Sequence, residues 1–482
     1  MLLLYIWMAA QIPYTHDDWD WGLKLGMDHL LTADINSRYA GNLIVVLLTR
    51  IPALKTVFMG IVFTAIPASV SVLASKIMNT GKEEDQDLIR TVIFIFANIM
   101  ILSMPKDVWR QTNGWTAGFS NFTVSALAML LYFILIMKDP GEKILNCIGL
   151  FVFGVAIQLF LENLTVFFFL FSVFHLLIFK KIRQTGPLLL GNLTGLIIMF
   201  SSSIYSSLWN TGYAVGNYRH LMYDPSKPLH TFIFEAASRY LKEFMPQIIS
   251  HHAILAGLIA LLTAVRLFAI RRTASSIPGI INMLYFFYYI YSHIMGNPFR
   301  DTGNLLVPGL DCFFAVLMTV ETVMLFRSDK RLLFRMTVLW LTPFIIVAPM
   351  LIINTAGPRT FYTTDICFTL FASILLSTVL TLKPKHKLLL PLIVCLIGLT
   401  FISIRWIGIY KPIGEHTRER ERLIAETIEN GGKKITFREY PNSDYLWLPI
   451  PGNKDSWRYP CFKEFYHIPG DVDIEFEGRN RL

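Results

Sequence analysis

The densest patch of reactive side chains in the chain is Thr15-His16-Asp17-Asp18-Trp19-Asp20-Trp21-Gly22. Adjacent carboxylates such as Asp17 and Asp18 can supply a general base and a hydrogen-bonding partner for it. Indoles beside them can stack on sugar faces and settle at a membrane–water boundary. A solvated loop with an aromatic belt would show the same residues, so both readings stay open. Asn36-Ser37-Arg38-Tyr39-Ala40-Gly41-Asn42 comes next. Arg38 suits a phosphate, or it lies along the interface with its head in water. Val108-Trp109-Arg110-Gln111-Thr112-Asn113-Gly114-Trp115 is a further aromatic and polar stretch. Glu162-Asn163 interrupts an apolar run long enough for two spans, where a plain turn would also serve.

Gly296-Asn297-Pro298-Phe299-Arg300-Asp301 and Ala356-Gly357-Pro358-Arg359 are short turns, accounted for by Gly and Pro. Their arginines are less easily dismissed, because basic residues in short loops favour the cytoplasmic side. Two guanidinium groups at the boundary suit a lipid-linked phosphate. The histidines His16, His29, His251, His252 and His293 show no metal spacing. A divalent metal could share the handling of a phosphate, but no ligand set is evident and no cofactor is indicated. No phosphate loop, dinucleotide fingerprint or nucleophile elbow occurs. Cys147, Cys312, Cys367, Cys395 and Cys461 form no CxxC pair and read as small core residues.

These residues have to be positioned by a chain that is 54% hydrophobic and only 16% charged over 482 residues. A soluble protein carries about 25% charged residues. Many apolar runs approach or pass the ~18 residues that mark a bilayer-spanning helix. The spacing predicts about thirteen transmembrane helices. The first is short, Met1–Pro13. The others cover 56–75, 88–104, 121–137, 144–161, 163–179, 187–205, 247–270, 276–295, 305–326, 333–353, 362–382 and 388–409. Residues 40–49 read as a half-buried helix at the membrane surface.

Lys76 and Lys82, Lys138 and Lys143, Lys180 with Lys181 and Arg183, Arg271 with Arg272, Arg327 with Lys330 and Arg331, and Lys383 with Lys385 and Lys387 fall on every second loop. That alternation places the amino terminus in the cytoplasm and the carboxyl terminus outside. The net charge of +9 therefore reads as topology and contact with the lipid bilayer, and no nucleic acid is expected. Most charged residues outside these clusters lie in the outer loops, whereas a transporter keeps its site near the midplane.

Residues 411–482 change character. Thr417–Glu429 reads as a charged helix stopped by Asn430-Gly431-Gly432, and Lys433–Tyr440 as a strand. Tyr440, Tyr445, Trp447, Trp457 and Tyr459 make the rest aromatic. The fold class expected is an all-α polytopic membrane protein over 1–410, with a small α/β extracytoplasmic C-terminal domain over 411–482. That domain would cap the outer cavity, and rings such as Trp447 suit stacking on sugar faces.

The motif order resembles the type-C superfamily of membrane glycosyltransferases, and more closely a bacterial family of such multi-span proteins. The matching elements are His16-Asp17-Asp18-Trp19, Arg38-Tyr39-Ala40-Gly41-Asn42, Trp115 with Gly118 and Asn121, Glu162-Asn163, Gly296-Asn297 with Arg300, Gly357-Pro358-Arg359, and Ser443-Asp444-Tyr445-Leu446-Trp447. The short first span departs from the superfamily pattern. The resemblance implies an inverting enzyme of the bacterial cell membrane. Its donor would be a polyprenyl-phosphate-linked sugar, and its acceptor a surface polysaccharide or teichoic acid. Asp17 would be the base and Asp18 would orient it or bind acceptor. Arg300 and Arg359 would meet the leaving phosphate. His16, Trp19, Arg38, Asn42, Trp115, Glu162, Asn163, Asn297 and Trp447 would line the substrate site. A flippase of a lipid-linked sugar and a surface-polysaccharide polymerase or ligase are the alternatives.

Overall fold

Inside a bilayer a backbone must satisfy its own hydrogen bonds, so long apolar runs become helices. The structure is a computed structural model that describes residues 1–78, 83–137, 143–215, 218–222, 227–270, 273–296, 305–382 and 388–477. Among the described residues eight helices are long and apolar enough to cross a membrane, or ten if each of two bent pairs counts as one span. The chain is an all-α polytopic membrane protein.

The run at the start gives only Leu2–Gln11. Ten residues rise about 15 Å, half of a ~30 Å hydrocarbon layer. This helix lies against Pro52–Met78 and is pinned by Tyr5, whose hydroxyl donates to Asn98 Oδ1 at 2.9 Å. Tyr39–Arg50 is the expected half-buried helix, with Val45, Val46 and Leu48 inside and Leu43 and Leu47 exposed.

Two breaks shape the end of the bundle that carries the first loop. Pro105, which lacks an N–H, turns Gln86–Leu102 into Lys106–Thr112 through 92°. Trp109 and Arg110 thereby run across the bundle end. A second break, of 66°, separates Thr185–Phe200 from Ser203–Thr211 and carries Tyr205 inward. A two-residue antiparallel hairpin follows, Tyr213–Ala214 against Arg219–His220.

The final span and the charged helix expected after it are one element, Leu389–Glu429. The expected boundary near residue 410 falls inside that helix. Asn430 caps it and Gly431 turns the chain with φ +65°, as the Asn-Gly-Gly run predicts. Lys434–Phe437 then pairs in parallel with Asp473–Phe476, and Arg458–Phe465 is the helix between them. Ile435, Phe437, Phe462, Val472 and Ile474 form a small core, and Trp19 of the first loop inserts into it, edge-on to Phe462 at 5.0 Å. The tail also docks at Gly114. A Cβ there would stand 2.0 Å from the Tyr445 carbonyl oxygen, so only glycine admits the contact. Trp109 Nε1 donates to the Tyr410 hydroxyl at 2.7 Å, and Trp406 Nε1 to the Leu102 carbonyl at 2.8 Å.

Candidate functional site

Asp18 is wholly buried. Its Oδ1 accepts from the Ala117 N–H at 2.8 Å, and its Oδ2 from Thr15 and Thr116 at 3.0 and 3.2 Å. The carboxylate thus satisfies the first free amides of the Thr116–Met137 helix and ties the first loop to it. Burial pushes this carboxyl up, and the Asp17 charge adds to the effect. With no exposed surface, Asp18 serves to hold the first loop against that helix.

Asp17 is different. Its side chain keeps 24% of its surface exposed. Oδ1 accepts from Trp115 Nε1 at 2.8 Å and lies 3.2 Å from His16 Nδ1. Burial alone would raise this carboxyl. His16 and the indoles of Trp115 and Trp21 overcome that and hold it below the ordinary carboxylate range. Of the two adjacent carboxylates, Asp17 is therefore the one with exposed surface. His16 adopts φ +54°, a left-handed conformation unusual for a non-glycine residue. Its ring stands among Trp115, Trp457 and Trp447, with centroids 5.6, 5.8 and 6.2 Å away. The tail supplies two of these three indoles. Arg110 lies over the Trp447 ring at 5.5 Å.

Trp115 also connects Asp17 to a group of cations. The Arg359 guanidinium lies 5.9 Å from the Trp115 ring and 5.9 Å from Phe122, whose ring also faces Arg38 at 5.7 Å. Arg38 grips Glu162 with Nε and Nη2, the shortest contact being 2.8 Å. Arg219 Nη1 reaches the other oxygen at 3.3 Å, and the Tyr205 hydroxyl donates to it at 2.8 Å. Arg38, Glu162, Asn163, Tyr218, Arg219 and Arg359 share a cavity of about 40 Å³. Three guanidinium groups against one carboxylate leave this cavity two charges positive, which favours an oxyanion such as a phosphate. Among the described residues no three His, Cys, Asp or Glu side chains gather as a metal ligand set.

No family profile, curated protein or solved structure matches the chain.

His16, Asp17, Trp115 and Trp447 thus meet at one end of the site, and Arg38, Glu162, Asn163 and Arg359 at the other. Trp19 and Asn42 stand elsewhere. Trp19, expected to line the substrate site, is 1% exposed and packs in the tail core, because Phe462 covers it. Asn42 is buried and donates to Asn36 Oδ1 at 3.0 Å. That same oxygen accepts from the Arg38 N–H, so Asn42 shapes the turn that presents Arg38. Asn163 donates to the Ile346 carbonyl at 3.2 Å, which places it in the wall. Asn297 and Arg300 lie outside the described residues.

Arg219 and Tyr205 went unread in the sequence. For Arg219 a signal existed: it is a basic residue in an expected outer loop, the argument already applied to Arg300 and Arg359. The length of the 206–245 loop hid it. For Tyr205 no signal existed, since it falls at the end of an expected span.

Proposed function

We propose that this protein is an inverting glycosyltransferase of the bacterial cell membrane. It moves a sugar from a polyprenyl-phosphate donor to a hydroxyl of a surface polysaccharide or teichoic acid, on the outer face. The single observation that carries this reading is the Trp115 indole: it donates to Asp17 through Nε1 while its ring is faced by Arg359. A base with exposed surface and an anion-seeking cation thus stand about one aromatic ring apart, with further indoles beside the base. Inverting transfer requires these groups. Asp17 takes the proton of the acceptor hydroxyl, and the acceptor oxygen bonds to the anomeric carbon. The bond from that carbon to the donor phosphate breaks, and the phosphate leaves with the electron pair. Arg359 and the Arg38–Arg219 cluster meet that charge.

The decisive experiment reconstitutes the purified protein with a polyprenyl-phosphate sugar and a soluble glycan acceptor. Product should form, and no transfer across a panel of sugars and acceptors would reject the reading. The Trp447→Ala variant refines it. A stacking ring used equally in ground and transition states appears in the Michaelis constant. That constant for acceptor should rise roughly 3- to 10-fold, with donor saturation unchanged. An unchanged acceptor constant would make Trp447 a packing residue.

The same reading needs the amino terminus in the cytoplasm and the tail outside. A periplasm- or exterior-dependent reporter fused after Leu482 should be active. Activity of a cytoplasm-dependent reporter there would overturn both the topology and the outer-face site.

A further inference from the structure

A second cavity, of about 530 Å³, opens at the end of the bundle away from the tail. The Glu162–Phe179 helix relates the two ends. Its first residue belongs to the site described above and its last lines this groove, about 25 Å further along the helix. The walls are apolar and aromatic. Phe334 stacks on Phe174 with centroids 6.0 Å apart and meets Phe179 edge-on at 5.5 Å. Ile77 and Phe171 continue the wall.

The rim is of the opposite chemistry. Lys181, Lys330, Arg331 and Arg335 line it, and no Asp or Glu does. The acid next to them in sequence, Asp329, is occupied as the cap of Lys330–Val347, accepting from the Arg331 and Leu332 N–H groups. Arg335 is held over the groove by one bond, from Nη1 to the Ile77 carbonyl at 3.2 Å, and keeps its other donors. None of the four cations enters an ion pair among the described residues.

A soluble anion would satisfy the rim and leave the walls wet. A neutral lipid would fill the walls and leave the cations unpaired. A molecule with both a phosphate head and a hydrocarbon tail satisfies both at once. We propose that this groove holds one anionic phospholipid, its phosphate on Lys181, Arg331 and Arg335 and an acyl chain along Phe174 and Phe334. The inference stands on the groove and is independent of the reaction proposed above.

The test follows thermal unfolding of the purified full chain in neutral detergent while dioleoyl phosphatidylglycerol is added. A ligand that binds the folded state raises the midpoint, by an amount that grows with the logarithm of its concentration above its dissociation constant. Phosphatidylglycerol should raise it at concentrations where dioleoyl phosphatidylcholine and inorganic phosphate do not. The triple variant Lys181→Gln, Arg331→Gln, Arg335→Gln should need roughly 30- to 100-fold more phosphatidylglycerol for the same rise. Arg327→Gln, which removes an exposed cation near the groove but outside it, should respond as the wild type does. Val338→Trp crowds the wall without changing charge and should weaken the response as well, which keeps the test open if the triple variant folds poorly. An equal response to phosphatidylcholine, an equal response to inorganic phosphate, or a triple variant with wild-type response would overturn the proposal. So would a long-chain isoprenyl phosphate that raises the midpoint where phosphatidylglycerol fails.

Discussion

Replacing Asp17 with Asn should lower the turnover number by roughly 10²- to 10⁴-fold, the range that a positioned general base supplies. The amide can still accept from Trp115 Nε1, the 2.8 Å bond that Asp17 makes, so the loop should keep its shape. The loss should therefore fall on kcat, with donor and acceptor saturation little changed. The pH profile provides a second check. His16, Trp115 and Trp21 hold the Asp17 carboxyl below the ordinary carboxylate range despite its burial. A depressed carboxyl stays ionised above that range and loses its charge only as pH falls through its folded-state value. The rate should thus show no acid limb between pH 5 and 8 attributable to this group, taking ~3.9 as the ordinary aspartate value. An acid limb near pH 6 that disappears in Asp17→Asn would show that the carboxyl is raised. An Asp17→Asn enzyme with full activity would remove the residue from the chemistry.

The Glu162→Ala variant should lose about 3–5 kcal/mol of stability, the cost of stranding buried charge by removing one partner. Glu162 serves three groups at once: Arg38, Arg219 and the Tyr205 hydroxyl. All three come from separate segments, so its removal unpins the first loop, the hairpin and the broken helix together. Removing Arg38 as well should recover part of the loss, because one stranded guanidinium goes with it. Thermal unfolding of the four proteins of this cycle measures the coupling. A single-variant loss below about 1 kcal/mol would mean that water screens the cluster, and that Arg38 is not held in place for a phosphate.

The two halves of the site were unequally legible in the sequence. The helices were readable because hydrocarbon imposes a length and a composition on each of them. The spans expected from residue 56 onward lie largely on helices, although 187–205 runs across the break after Phe200 and 144–161 outruns a helix that ends at Gln158, and Asn430-Gly431-Gly432 ends the last helix where its chemistry says it must. The pairing of Asp17 with a cation across an indole was readable in kind, since both residues sat in expected outer loops. The division of labour between Asp17 and Asp18 was not. It depends on amides at Thr116 and Ala117, almost a hundred residues away, that meet one carboxylate and miss the other. Trp19 failed for the same reason. Nothing local to it announces Phe462. The run from residue 388 to Glu429 looked like a span followed by a separate helix because its composition changes at the water boundary. The backbone does not register that change.

That uninterrupted helix turns membrane depth into a measured standoff. Its 41 residues extend about 60 Å, roughly twice the hydrocarbon thickness. The half beyond the bilayer is a mast, and the chain folds back from its top until Tyr445 rests on Trp406 and Trp447 reaches the ring of His16. A mast of this kind sets bearing as well as height, since each residue adds about 1.5 Å and about 100°. Where the tail's indoles stand relative to the apolar half of this helix is therefore written in its residue count, a matter of length and phase more than of loop motion.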